Sequence, residues 1–294
     1  MFNVIIVGVV SGAMLVLPLL LDGFERKVKA AIQTRIGPPV TQTLYDFLKL
    51  MDKEVKPFTG STLATYMVLL TILLQISSLI ALNYFIIAER NFQILFAGLA
   101  LFLVAQASGA MTPLLVPNPF SQIGGYREVV VSLVNEFTMI LSIGAISFIL
   151  GGEAASPYTY MGLLSAMITL FITSYVSTGR PPFDIAEAEV ELASGIFVEF
   201  SGPLLATYIY AMLTRRLLAK MIPLVIILQS LTSPGLITSL ILVPLLVVTW
   251  LVYGVAATVV GRTRIDMAPV SLLKLYIPLM ALSITGLLIG VYYA

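Results

Sequence analysis

Two carboxylates stand inside runs of residues that are otherwise apolar. Glu136 lies in VSLVNEFTMILS, and Glu199 lies in IFVEFSGPLL. An ionisable side chain in a membrane-spanning helix costs at least about 2.5–3.5 kcal/mol, so such residues commonly have a function. Both positions suit proton transfer. The alternative is a structural buried acid that is protonated or neutralised by a partner.

The densest group of carboxylates follows Arg180, in the segment RPPFDIAEAEVE. Asp184, Glu187, Glu189 and Glu191 occur within eight residues of one another. Crowded carboxylates in a partly dry site hold protons more readily than isolated ones. The segment therefore predicts proton entry or relay, with a solvated acidic loop as the alternative.

The sequence lacks the residues that several other kinds of functional site require. The sequence contains neither cysteine nor histidine, which are the usual ligands of zinc, iron–sulfur clusters and haem. It has no nucleophile–base pair, no phosphate-binding glycine loop and no long basic run of the kind that binds nucleic acid. Any redox centre must then lie on a partner subunit.

The elements that position these carboxylates are predicted to be membrane helices. Hydrophobic residues make up 59% of the 294 residues and charged residues 11%, so lipid is the natural solvent. At roughly 20 residues per crossing, we expect an all-α integral membrane protein of about eight tilted transmembrane helices in a single membrane domain, 1–294. The predicted spans are 3–21, 62–88, 92–112, 129–150, 158–178, 195–214, 235–260 and 270–292.

Two connectors between the predicted spans have distinctive sequences, one amphipathic and one acidic. Segment 22–57 contains an amphipathic helix, 41–54, because Leu44 and the apolar residues that follow it recur at helical spacing. This helix is predicted to lie in the cytoplasmic interface, either as a passive anchor or with a function. The second connector, 179–194, is the acidic one.

The distribution of basic residues predicts the orientation. With the N-terminus outside, twelve basic residues fall in inside connectors and four in outside connectors, as the positive-inside rule requires. The basic residues at 215–220 argue against this orientation, and region 195–260 is predicted to hold either a long tilted helix or a broken one. The inside set is Arg26, Lys27, Lys29, Arg35, Lys49, Lys53, Lys56, Arg127, Arg180, Arg262, Arg264 and Lys274; the outside set is Arg90, Arg215, Arg216 and Lys220.

Four motifs between Asp22 and Leu279 carry a resemblance to a known family. The chain resembles the complex I subunit 1 family, and it is most similar to the membrane-anchor subunit of energy-converting membrane-bound nickel–iron hydrogenases and related archaeal ferredoxin-dependent complexes. The motifs are Glu25-Arg-Lys27 with Thr34-Arg-Ile-Gly-Pro38; Arg127 with Glu136; Arg180-Pro-Pro-Phe-Asp-Ile-Ala-Glu-Ala-Glu-Val-Glu191 with Val198-Glu-Phe-Ser-Gly202; and Arg262-Thr-Arg-Ile-Asp266.

The resemblance implies a role for the chain and for its charged residues. The chain would join a peripheral redox arm to ion-pumping, antiporter-like membrane subunits in a prokaryotic cytoplasmic membrane. The arm would contain hydrogenase-like large and small subunits and an iron–sulfur, ferredoxin-like subunit, which would hold the nickel–iron centre and the clusters. Proton relay is implied for Glu136, Asp184, Glu187, Glu189, Glu191 and Glu199. Charge pairing or docking is implied for Glu25, Arg26, Arg35, Arg127, Arg180, Arg262, Arg264 and Asp266.

Departures from the quinone-reducing branch favour the hydrogenase branch. They stand at Pro39, Asn135, Ser177, Gly179 and Met267. The corresponding subunit of a sulfane reductase or of a quinone- or phenazine-reducing relative remains an alternative. A stand-alone secondary transporter is a third, but it predicts an inverted repeat that the sequence lacks.

Overall fold

The chain is helical throughout the part that the structure describes. The computed structural model describes residues 2–54, 62–151, 156–184, 197, 200–264 and 266–292. Within these ranges the chain forms α-helices, short turns and one 3-10 segment, and no strand occurs there. The predicted relay residues Glu187, Glu189, Glu191 and Glu199 lie outside the described residues.

Nine α-helices make up the described fold. Eight are long, and the short one, α2, is the amphipathic helix that the sequence predicts over 41–54. The helices are α1 Phe2–Ile32, α2 Gln42–Met51, α3 Thr62–Ile87, α4 Phe92–Met111, α5 Pro119–Gly151, α6 Pro157–Ser177, α7 Gly202–Leu231, α8 Leu236–Val259 and α9 Ala268–Tyr292, with the 3-10 segment Thr112–Leu115 between α4 and α5.

Eight helices of the described chain are long, which is close to the predicted number of about eight spans. Among the described residues, seven are long and apolar enough to span a membrane: α1, α3, α4, α5, α6, α8 and α9. The eighth, α7, also runs from end to end. Gly202 at its start lies against Glu54, before α3, whereas the Gln229 carbonyl near its end accepts a hydrogen bond of 2.5 Å from Arg90, after α3. A helix of 30 residues is about 45 Å long, which is enough to cross.

The predicted end of the sixth span at 214 is wrong. Arg215, Arg216 and Lys220 do not lie in an outside connector, because α7 continues through them to Leu231 without a break. The helix can contain three basic residues in its middle because neighbouring elements supply carboxylates, carbonyl oxygens and aromatic rings at these positions. Region 195–260 therefore contains one long helix over 202–231 and then α8.

Two other helices are longer than predicted. α1 continues beyond the predicted end at 21 to Ile32, so the first part of connector 22–57 is helical. α5 begins at Pro119 rather than at 129, which places Arg127 and Glu128 on a helix. In both cases the charged turns are stabilised by contacts within the bundle, which hydropathy does not register.

Close helix packing depends on small residues at one contact. A Cβ atom built at Gly286 of α9 would lie 2.8 Å from the backbone nitrogen of Gly162 on α6. Two glycines facing each other let the backbones approach, which is how membrane helices commonly associate. α6 begins with a capping box, in which the Ser156 and Thr159 side chains each bond the other residue's backbone N–H. The contact between Gly162 and Gly286 brings α6 and α9 close together.

The short helix α2 lies across α1 and α7. Phe47 packs against Tyr210 of α7 with ring centroids 5.6 Å apart, and Thr43 is buried against α1. Leu48 and Met51, which the helical pattern assigns to the same apolar face, are exposed. The apolar side of α2 is thus only partly covered by this chain.

Candidate functional site: a buried network of ion pairs

The motif that follows α6 enters the bundle and forms an ion pair with α1. Gly179 adopts φ +61°, a left-handed conformation that ends the helix and turns the chain. The next residue, Arg180, donates a hydrogen bond from Nη2 to Glu25 Oε2. Both residues are almost inaccessible, at 2% and 3% exposure. Lys29 Nζ lies 2.8 Å from Glu25 Oε1, so one carboxylate holds two cations.

Space for this pair depends on a glycine of α8. A Cβ atom at Gly254 would lie 2.8 Å from Glu25 Cγ, so a larger residue there would displace the carboxylate. Burial lowers the pKa of the Arg180 guanidinium to about 10, and the neighbouring Glu25 carboxylate opposes that shift. Arg180 therefore remains a cation at neutral pH.

A tryptophan lies close to both Arg180 and a second buried basic residue. Lys220 Nζ lies 4.0 Å from the centroid of the Trp250 ring, and Arg180 Cζ lies 5.4 Å from it. Tyr253 approaches the same ammonium at 5.6 Å, and Lys220 donates a 2.9 Å hydrogen bond to the Arg216 carbonyl. A desolvated cation over an aromatic face gains about 2 kcal/mol. The Trp250 ring thus lies within cation–π distance of both side chains.

Asp22 of α1 ties the network to α2. Its carboxylate accepts a 2.9 Å hydrogen bond from Thr43 Oγ1 and lies 2.9 Å from Arg26 Nε. Arg216 of α7 approaches it at 3.8 Å. Asp22 therefore joins α1, α2 and α7 at a single carboxylate.

A second ion pair lies towards α5. Arg215 Nη1 donates to Glu128 Oε1, and Arg215 Nε donates to the Ser177 carbonyl at 2.8 Å. Glu136, two turns further along α5, lines the same pocket, which has a cavity volume of about 40 Å³ and is also lined by Arg127 and Asp184. The carboxylate of Glu136 thus shares this space with five other charged residues, which are Arg127, Glu128, Asp184, Arg215 and Arg216.

The end of α6 links the two groups of charges. The Ser177 carbonyl accepts from Arg215, and the Thr178 carbonyl accepts from Arg216 at 3.2 Å. Carbonyl groups at a helix C-terminus lack intrahelical partners and attract cations. Adjacent arginines thus bind one helix end and diverge, Arg215 towards Glu128 and Arg216 towards Asp22.

Hydrogen bonds fix the wall of the Glu136 pocket. Asn135 donates from Nδ2 to Ser177 Oγ at 2.8 Å and to the Thr173 carbonyl at 3.1 Å. Its Oδ1 accepts from the Tyr276 hydroxyl at 2.6 Å. This triad joins α5, α6 and α9 directly beside Glu136.

The segment before α9, which contains Arg262 and Thr263, binds the motif that follows α6. Arg262 Nη2 lies 3.1 Å from Asp184 Oδ2, and Thr263 donates to the Pro182 carbonyl from both its backbone nitrogen and its hydroxyl. Arg264 and Asp266 form an exposed pair at 3.4 Å, at 84% and 64% side-chain exposure. The two motifs, distant in sequence, are therefore one structural unit.

The remaining predicted residues lie at the periphery of the network. Arg26 is half-exposed and bridges Asp22 and Asp46, the latter at 3.8 Å. Arg35 is exposed just beyond the end of α1, where its Nε donates to Gln33 Oε1 at 2.9 Å.

Several residues of the network were missed in the sequence. They are charged or aromatic residues that the hydropathy profile assigned to connectors or to ordinary core. A usable signal was present in α7, because cations within a long apolar run are expensive and are commonly functional. The missed residues are Asp22, Glu128, Arg215, Arg216, Lys220 and Trp250.

Fold and network together define a multi-pass helical membrane protein with a buried path of ion pairs between its helices. Within the described residues, no three acidic side chains are grouped so as to hold a metal ion.

The chain belongs to the NADH dehydrogenase family, that of complex I subunit 1, because the family model matches residues 4–288. It is also similar in structure to a chain of the membrane-bound sulfane sulfur reductase, described as an archaeal respiratory membrane complex. That match has a TM-score of 0.75 at 20% sequence identity and covers 95% of this chain and 99% of the other.

Proposed function

We propose that this chain is the membrane-anchor and energy-coupling subunit of an ion-translocating, ferredoxin-linked complex of the membrane-bound hydrogenase type. It would carry no redox centre itself. A partner subunit would perform the redox reaction, and this chain would pass the resulting change of charge to antiporter-like membrane subunits.

The observation that carries the proposal is the placement of Arg215 and Arg216 on the end of α6. Through these two adjacent residues, the Asp22 carboxylate is connected to the Glu128 and Glu136 side. A change of protonation at one carboxylate alters the field at the next, because ion pairs in a low-dielectric interior interact strongly. Such a series of ion pairs is more useful to a charge relay than to a passive membrane anchor.

The relay would include the predicted carboxylates. Glu136 and Asp184 line one pocket, which supports their participation. Glu187, Glu189, Glu191 and Glu199 extend the proposed relay along the chain. The redox arm would dock on the surfaces of 22–57, 113–128 and 179–194, with Arg35, Arg262, Arg264 and Asp266 among the contacts.

The position of α7 supports an N-out orientation. Arg215, Arg216 and Lys220 lie within the bundle, so of the four basic residues that hydropathy assigns to outside connectors Arg90 alone remains. The positive-inside asymmetry is then stronger than the sequence indicates. The face that carries α2 and Arg35 would be cytoplasmic.

A charge-neutral substitution tests the relay. In the complex reconstituted into vesicles, we expect Glu136→Gln to lower ion pumping per electron transferred, because an amide cannot release a proton. Glu89→Gln, at an exposed acid in the α3–α4 connector, is the matched control and should leave pumping intact. If Glu136→Gln and Glu199→Gln both pumped normally, the relay would be wrong.

The subunit and metal composition of the purified complex tests the identity of the redox partner. The complex, purified gently from native membranes, should contain a nickel-bearing hydrogenase subunit and iron–sulfur proteins, by mass spectrometry and metal assay. The structural match to a sulfane sulfur reductase chain makes that complex the second candidate, and a nickel-free complex of the same architecture would select it or a quinone- or phenazine-reducing relative. A chain that purified alone and was active in transport would overturn the proposal.

A further inference from the structure

A second pocket lies on the other side of the Glu128–Arg215 ion pair. It lies between α3, α4 and α7 with a cavity volume of about 30 Å³, and both Glu128 and Arg215 line it as they line the Glu136 pocket. The ion pair is therefore the wall that the two pockets share. Neither the sequence motifs nor the proposed relay includes the residues beyond that wall.

Two glutamines place amide groups in this second pocket. Gln75 of α3 and Gln106 of α4 are 2% and 3% exposed. In the part of the chain that the structure describes, no protein group bonds Gln75 Oε1, Gln106 Oε1 or Gln106 Nε2. Exchanging the oxygen and nitrogen of Gln106 changes nothing, because both atoms lack a partner. Buried amides are nearly always hydrogen-bonded, so a bound group should satisfy them.

The nearby hydroxyl groups do not hydrogen-bond these glutamine amide atoms. Thr71 Oγ1 lies 2.9 Å from Ser108 Oγ and 2.7 Å from the Met67 carbonyl. Ser108 also donates to the Ala105 carbonyl at 2.9 Å, and Thr112 donates to the Ser108 carbonyl at 3.0 Å. These hydroxyls hold α3 against α4 and leave the two amides facing the space.

The chemistry of the lining selects water over a metal cation. Gln106 offers a donor as well as an acceptor, and a cation binds acceptors alone. The Glu128–Arg215 pair in the pocket wall carries no net charge, so the pocket offers a cation no net negative charge. Water can donate to the two Oε1 atoms and accept from Nε2, and a bound water needs two to four such partners.

We propose that this pocket is a binding site for ordered water, held by Gln75 and Gln106 and in contact with the Glu128–Arg215 pair. The water extends the polar interior from the Glu136 pocket to α3 and α4. The site itself stands on its geometry, whereas its part in proton transfer rests on the proposed function.

High-resolution cryo-electron microscopy of the whole complex tests the site. Density peaks are expected within hydrogen-bond distance of Gln75 Oε1 and of both Gln106 amide atoms. Gln106→Met keeps the approximate shape but removes both polar atoms, so the peaks at position 106 should be lost. Gln93→Met, at an exposed glutamine of the same helix, is the control and should retain them. Gln75→Met tests the site independently if Gln106→Met does not assemble.

Three results would overturn the inference. A dry pocket in the natural protein would remove the site, and peaks that persist in Gln106→Met would show that the amide does not hold them. A peak whose height follows the sodium concentration would identify a cation site instead. In vesicles, Gln106→Met should also pump fewer ions than Gln93→Met. Unchanged pumping in a variant that has lost its peaks would overturn the link to the relay while the water site stands.

Discussion

Replacing Glu25 by Gln should destabilise the protein far more than replacing a carboxylate of an exposed ion pair. The carboxylate and its partner Arg180 are 3% and 2% exposed, so little solvent can take over the lost interaction. Removing one partner of a buried ion pair typically costs about 3–5 kcal/mol. The Gln carbonyl can still accept a hydrogen bond from Arg180, so the expected loss lies at the lower end of this range, about 3 kcal/mol.

The measurement is the free energy of unfolding in mixed micelles, from a denaturing-detergent titration followed by far-UV circular dichroism. Asp266→Asn is the control, because its pair with Arg264 is exposed and such pairs contribute about 0–1 kcal/mol. In the double variant Glu25→Gln, Arg180→Gln, neither member of the pair is left as an unpaired charge, so part of the loss should be recovered. A Glu25→Gln variant no less stable than Asp266→Asn would refute the reasoning.

Three further substitutions test the packing of the network. Gly286→Ala should destabilise the protein by about 1–3 kcal/mol in the same titration, since the new methyl group meets α6 backbone, whereas Gly144→Ala, with nothing within 4 Å, should not; equal effects would contradict the close contact. Thr43→Val removes the hydrogen bond to Asp22, about 1.5–3 kcal/mol for a charged acceptor, and should speed hydrogen exchange in α2, so unchanged exchange would argue against this anchor. Trp250→Leu should lower the melting temperature more than Trp250→Phe, because phenylalanine retains a ring face for the two cations; the reverse order would exclude a cation–π contribution.

The sequence predicts the helices better than it predicts the network. Long apolar runs identify α3, α4, α6, α8 and α9 nearly to the residue, because lipid requires about 20 apolar residues per crossing. α1 and α5 are longer than predicted, and α7 departs furthest from its predicted end. Its cations are stabilised by Glu128, by Trp250 and by the end of α6, and hydropathy contains no information about such neighbours.

For the candidate site as well, the sequence reveals some residues but not their pairing. Glu136 stands out in the sequence because it is an isolated charge within an apolar run. The pairing of Glu25 with Arg180 does not, because the two are far apart in sequence and meet only after α6 and α1 have packed. Motif resemblance selects both residues but does not tell which carboxylate faces which cation.

Trp250 is the single tryptophan of the sequence, and its ring centroid lies 5.4 Å from Arg180 Cζ and 4.0 Å from Lys220 Nζ. Indole emission responds to nearby charge, so the wavelength and yield of this one residue report the electric field in the middle of the network. The natural chain thus contains an intrinsic optical probe. Purified without partner subunits, it could be followed in real time during a pH jump, with no label attached and no residue altered.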